Sequence, residues 1–140
     1  MEQRVNIITL GVADVPRSRA FYEQLGWELT FTDGDIVMFQ AGPIVVSLWG
    51  RTQLAGDSGV TESDGWAGFT LGYAVEGPEQ VDAVCAQAAE AGATLTRAPV
   101  EKPFGYSGVF ADPDGYTWEI AYIEGLGLRE DGTVALGAPA

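Results

Sequence analysis

The sequence predicts an α+β fold of two βαβββ modules, with curved mixed sheets around a trough. Three observations predict it. Hydrophobic alternation and turn residues give the order strand, helix, then three strands, and give it twice. The two halves also share landmarks. Ile7, Leu10 and Val12 recur in spacing as Thr70, Tyr73 and Val75, and Leu25-Gly26-Trp27 after the first helix matches Ala91-Gly92-Ala93 after the second. Finally, the last strand has two unlike faces. Tyr116, Trp118, Ile120 and Tyr122 make an apolar one, while Thr117, Glu119 and Ala121 make a small, polar one. The apolar face suits a covering helix, which leaves the polar face on the side where two such sheets enclose a trough.

Val5 to Val12 is a strand rich in β-branched residues, with Ile8, Leu10 and Val12 on one face and Ile7, Thr9 and Gly11 on the other. Asp14 caps a helix that tolerates Pro16 in its first turn. Ser18, Phe21, Tyr22 and Leu25 form the buried stripe of that helix, and Gly26 ends it. Strands follow at Trp27 to Thr32, Ile36 to Ala41 and Ile44 to Trp49, separated by the turns Asp33-Gly34-Asp35 and Gly42-Pro43. Residues 50–66 are polar and read as a flexible connector or a lid, with room for a short helical turn.

The second module opens with Trp66 and a strand from Ala67 to Val75. Gly77-Pro78 starts a helix whose buried stripe is Val81, Val84, Cys85, Ala88 and Ala91. Cys85 falls inside the stripe and reads as core rather than as a nucleophile. Thr94 to Ala98 is a strand, Pro99 to Gly105 a loop, and Tyr106 to Ala111 and Thr117 to Ile123 a hairpin closed by Asp112-Pro113-Asp114-Gly115. The modules thus span 4–49 and 67–123 of a single domain, 1–123. A tail over 124–140, with an Asp131-Gly132 turn, wraps the surface or frays.

Composition narrows the function. The chain has 140 residues, 46% of them hydrophobic and 19% charged, as in an ordinary globular domain. Its net charge of −13 argues against nucleic acid and anionic membrane surfaces. The same charge favours a cationic small molecule, or serves solubility alone. No apolar run reaches the roughly 18 residues of a membrane span. Met1-Glu2-Gln3-Arg4 runs straight into a strand without a signal peptide, and a single cysteine forms no internal disulfide, so the expected compartment is the cytoplasm. With no histidine among the residues, a mechanism that needs their imidazole is excluded.

Thr9 to Tyr22, read as Thr-Leu-Gly-Val-Ala-Asp-Val-Pro-Arg-Ser-Arg-Ala-Phe-Tyr, resembles the opening motif of the vicinal oxygen chelate group, the glyoxalase, bleomycin-resistance and extradiol dioxygenase proteins. Asp112-Pro113-Asp114-Gly115 followed by Trp118-Glu119-Ile120 resembles the closing motif, so the resemblance covers about residues 4 to 123. It implies the fold above and four metal-ligand positions in the metal-using members: Ile7, near Ser47, near Thr70, and Glu119. Only Glu119 keeps a ligand of the family's type. An iron site of two histidines and a carboxylate is impossible, and one Glu with Ser and Thr is a poor site for zinc, nickel or manganese. The family's metal-dependent activities are therefore not implied, and no metal or other cofactor is expected.

What the resemblance leaves is the trough, with Thr9, Gly11, Ser47, Thr70, Gly72, Ala74, Thr117 and Glu119 on its floor. Trp49 alternates with Ser47 and faces the same way, and Trp66, Phe104 and Tyr106 lie at strand ends, where a ligand enters. Trp27 and Trp118 are assigned to core; Trp49 and Trp66 are left open between core and ligand contact. The expected function is metal-free binding of an aromatic or cationic small molecule, as in drug-sequestering resistance proteins. The alternative is a metal-independent isomerase, lyase or cyclase with Glu119 as general base. A homodimer is expected, because each sheet has exposed edges.

Overall fold

Asp14 starts the first helix by accepting a hydrogen bond on Oδ1 from the Arg17 backbone N–H at 2.9 Å, which satisfies a donor that has no partner within the helix. In the computed structural model, which describes residues 1, 3, 5–67 and 69–135, this helix is α1 (Val15–Gln24). It ends at Gly26, with φ of 96°, where the Trp27 N–H bonds to the Tyr22 carbonyl at 3.0 Å and the Trp27 ring lies 5.1 Å from that of Tyr22. The helix over Pro78–Glu90 ends in the same way. Gly92 has φ of 106°, and Ala93 N–H bonds to the Ala88 carbonyl at 2.9 Å. The landmark triplets of the two halves are therefore one helix-stop motif used twice.

The chain divides into two compact units, Met1–Gly65 and Trp66–Ala140. In the first, β1 (Ile7–Val12) pairs in parallel with β4 (Ile44–Gly50), which pairs antiparallel with β3 (Ile36–Ala41), which pairs antiparallel with β2 (Phe31–Asp33). The sheet order is β1-β4-β3-β2. Helix α1 packs on β3 and β4. The core comprises Leu10, Val12, Phe21, Tyr22, Val37, Phe39, Val46 and Leu48, all buried. The predicted strand from Trp27 to Thr32 is corrected to the shorter β2, because Trp27 is committed to closing the helix.

The expected flexible connector begins with a helix, α2 (Arg51–Ser58), packed on β1 and β4. It leans on the sheet at Gly11, where a β-carbon would lie 3.2 Å from both Arg51 Cγ and Leu54 Cδ2. Arg51 donates to the Ser63 carbonyl at 2.6 Å and Thr52 Oγ1 to Glu62 Oε2 at 2.9 Å, which ties the segment after the helix back to its first turn.

In the second unit, β5 (Thr70–Val75), α3 (Pro78–Glu90), β6 (Thr94–Lys102), β7 (Gly105–Ala111) and β8 (Thr117–Ile123) repeat the plan, with sheet order β5-β8-β7-β6 and β5 parallel to β8. Two corrections apply: the strand expected from Ala67 begins at Thr70, and β6 is longer than expected. β6 runs through Pro99 to Lys102 where a loop was expected; its pairing with β7 shifts register between Leu95 and Arg97 and again between Arg97 and Val100. An irregular edge strand is where a proline is tolerated. The tail also forms a small hairpin, β9 (Gly127–Leu128) with β10 (Val134–Ala135), whose turn Asp131 braces by accepting from the N–H and hydroxyl of Thr133. The tail beyond residue 135 lies outside the described residues.

Helix α3 buries Val81, Cys85 and Ala88 against this sheet. Burial, with the nearby Asp82 charge, pushes the Cys85 thiol above its ordinary range, while Arg97 opposes the shift. The folded protein is expected to resist a thiol-reactive chromogenic disulfide at neutral pH and to react fully in denaturant. Fast labelling of the native chain would contradict this placement. Gly108 lets the helix approach, since a β-carbon there would lie 2.9 Å from Cys85 Sγ and from Pro99 Cγ. Gly108→Ala is expected to cost about 1–3 kcal/mol by overpacking, read as a lower urea midpoint.

Candidate functional site

Strand register sorts the second sheet into two faces. Tyr106, Gly108 and Phe110 on β7 stand opposite Tyr122, Ile120 and Trp118 on β8, and this is the α3 face, as the contact of Gly108 with Cys85 requires. Ser107, Val109 and Ala111 stand opposite Ala121, Glu119 and Thr117 on the other face, to which β5 adds Thr70, Gly72 and Ala74.

A polar cluster forms on that second face. Arg97 donates to the Ser107 carbonyl at 2.7 Å and, through Nη2, to Ser107 Oγ at 2.7 Å. The same Nη2 lies 3.4 Å from Glu119 Oε2, and Ser107 Oγ donates to that oxygen at 3.3 Å. Ser107 is fully buried, whereas the Arg97 and Glu119 side chains remain 31% and 39% exposed. The serine therefore anchors a guanidinium and a carboxylate that both stay accessible. Next along β8, Thr117 Oγ1 lies 2.7 Å from Thr70 Oγ1. Beside Glu119 there is room: Gly72 is its register partner, and a β-carbon on Gly72 would meet nothing within 4 Å.

The expected site residues are placed as follows. Thr70 and Glu119 share this face. In the first unit, Thr9 pairs with Ser47 and Gly11 with Trp49, on the face opposite buried Leu10 and Leu48. Thr9 is exposed, Ser47 buried and Trp49 half-buried. Trp66 is 69% exposed and precedes β5, and Phe104 is exposed in the β6–β7 turn. Tyr106 points the other way, toward α3, where its hydroxyl donates to Asp82 Oδ1 at 2.8 Å; that bond raises its pKa. Trp118 is buried in the core, and Trp27 is half-buried and packs on Tyr22 and Phe39.

Arg97 and Ser107 were missed in the sequence. Ser107 carried a usable signal, since a hairpin that pairs Ala111 with Thr117 must pair Ser107 with Ala121, on the Glu119 face. Arg97 carried none, because the register shifts around it spoil alternation along β6.

The positions that the resemblance implies for a metal do not fit one. Ile7 and Ser47 in the first unit supply neither carboxylate nor imidazole. In the second, Thr70 is a hydroxyl, and the single carboxylate already has a guanidinium beside it, where a dication's charge would be needed. Among the described residues, no group of three or more His, Cys, Asp or Glu is gathered to hold a metal ion. No helix among them is long and apolar enough to cross a membrane.

Residues 4–120 match the family model of the glyoxalase/bleomycin resistance protein/dioxygenase superfamily. A glyoxalase-related enzyme from Fulvimarina pelagi is similar at 32% identity and a TM-score of 0.90, over 98% of this chain and 100% of that one. A family enzyme from Burkholderia phytofirmans PsJN shares the fold at 24% identity and a TM-score of 0.75, over 84% of this chain and 97% of that one. A lactoylglutathione lyase from Agrobacterium tumefaciens shares it at 20% identity and 0.66, over 87% and 95%. No curated protein is significantly similar to the chain. With two βαβββ units and a family match from residue 4 to residue 120, the chain belongs to the glyoxalase/bleomycin resistance protein/dioxygenase superfamily.

Proposed function

We propose that this protein binds a small aromatic molecule, without a metal ion, on the face of the second sheet that carries Thr70, Gly72, Thr117 and Glu119. The observation that carries the reading is the Arg97–Ser107–Glu119 cluster, half-exposed beside the open space at Gly72. A sheet face kept small at Gly72, Ala74 and Ala121 and charged at Glu119 is arranged to leave volume rather than to fill it. An exposed ring supports an aromatic ligand: Trp66, shortly before β5, is 69% exposed. The net charge of −13 draws cations to the surface at large. At Glu119 itself, however, Arg97 balances the carboxylate, which weakens the case for a cation there.

The test is titration of a panel of aromatic compounds, followed by tryptophan fluorescence, with wild type and Glu119→Gln. Saturable binding that Glu119→Gln weakens supports the reading, and no saturable response to any compound sinks it. Turnover in the wild type that is lost in Glu119→Gln while binding persists would favour the general-base alternative. Near-stoichiometric zinc, nickel or iron in untagged protein would contradict metal independence.

The protein is also proposed to form a homodimer. β1 and β2 are edges of one sheet and β5 and β6 of the other, and edge strands invite pairing. Light scattering at micromolar concentration should give twice the 14.8 kDa chain mass; a monomer mass refutes it.

A further inference from the structure

Resting on the ligand-binding reading above, we infer that Arg97 and Glu119 together receive an uncharged polar head group, one that offers a hydrogen-bond acceptor and a donor on neighbouring atoms, as a carboxamide does. A guanidinium has five N–H donors and no acceptor, and an ionised carboxylate only accepts. Ser107 takes two of the Arg97 donors, one on its carbonyl and one on its hydroxyl, and this fixes the plane of the guanidinium. The Ser107 hydroxyl, with its oxygen accepting from Arg97, turns its own proton to Glu119 Oε2. Three groups are thus oriented in one chain of bonds, and the serine at its centre is fully buried. Glu119 Oε1 accepts no hydrogen bond from the described residues, and Arg97 keeps donors beyond those directed at Ser107 and Glu119. The guanidinium and the carboxylate stand side by side, each partly exposed.

Charge decides the class of head group. A cation placed on Glu119 meets the guanidinium 3.4 Å from Oε2, and an anion placed on Arg97 meets the carboxylate at the same range. In either case attraction to one partner is offset by repulsion from the other, and the ligand's charge still has to be desolvated. A neutral head that gives an N–H to Glu119 and takes an N–H from Arg97 gains both charge-assisted bonds without that cost. The space for it is the missing side chain at Gly72, directly beside Glu119 in the parallel register.

The probes are naphthamide, naphthoate and trimethyl(naphthylmethyl)ammonium, which keep one ring and change only the head. Ligand-observed NMR titrations of the full chain measure all three. The expected result is that naphthamide binds at least about tenfold more tightly than either charged compound, the effect of one hydrogen bond to a charged group. Arg97→Gln should remove that preference, and far-UV circular dichroism checks that the variant is folded. Tighter binding of the ammonium compound or of naphthoate overturns the inference and leaves the ligand-binding reading standing. If none of the three binds the wild type, the inference falls, while the ligand-binding reading is decided by the wider aromatic panel. The ranking in wild type needs no variant, so poor folding of Arg97→Gln does not remove the test.

Discussion

Phe39→Ala is expected to lower stability by about 3–5 kcal/mol, a large fraction of what a domain of this size has. Phe39 is 1% exposed and sits where the first helix and its exit meet the sheet: its ring lies 6.2 Å from that of Tyr22 and 5.6 Å from that of Trp27. Tyr22 and Trp27 are themselves held by the backbone bond that closes α1, so they have little freedom to collapse into the space left by the ring. The loss is then transfer energy plus an unfilled cavity. Urea unfolding should show a lower midpoint with an unchanged slope. Phe31→Ala is the control. Phe31 is 56% exposed on β2, and its truncation should change stability by less than about 0.5 kcal/mol. A loss at Phe39 no larger than the control's would mean that the ring does not join helix to sheet.

The fold was legible because its signals are local. Asp14 and the glycines at 26 and 92 mark helix ends by bonds made within a few residues, and the alternation from Thr117 to Ile123 needs no partner to be read. What was not legible depends on contacts distant in sequence. The strand expected from Trp27 gives way because the Trp27 N–H bonds back to Tyr22. β6 continues past Pro99 because it is an edge strand whose register slips. Helix α2 lacks a strong apolar stripe of its own and buries no residue fully, so its helicity was legible only as room for a turn.

The candidate site shows the same division. Glu119 could be assigned a face from alternation alone. Its partner Arg97 could not, since two register shifts separate that residue from any regular count. Missing Arg97 altered the chemistry expected: a lone carboxylate suggests a base or a cation receptor, whereas a carboxylate paired with a serine-anchored guanidinium both accepts and donates. Tyr106, expected at a strand end where a ligand enters, lies in β7. It is adjacent to Ser107 in sequence and therefore on the opposite face, bonded to Asp82 of α3.

Gly72→Val is expected to abolish measurable binding of naphthamide, at least a tenfold loss on the scale of the bonds at stake, while leaving the protein folded. Gly72 stands in β5 as the parallel register partner of Glu119. A β-carbon on it would touch nothing within 4 Å, so the added branched side chain enters open space rather than the core. Valine favours strands and glycine weakens them, so thermal stability should hold or rise slightly. The new methyl groups would then occupy the volume beside the carboxylate that the ligand's head requires. Gly72→Ala adds one methyl and should weaken binding less than Gly72→Val. Gly72→Val with wild-type affinity and a normal melting curve would mean that no ligand uses this space, and would move any binding site away from the Glu119 face. Loss of affinity with the melting temperature kept would separate an occupied site from a merely exposed patch of sheet, because the added β-carbon meets nothing in the protein and a kept melting temperature shows that the fold is undisturbed.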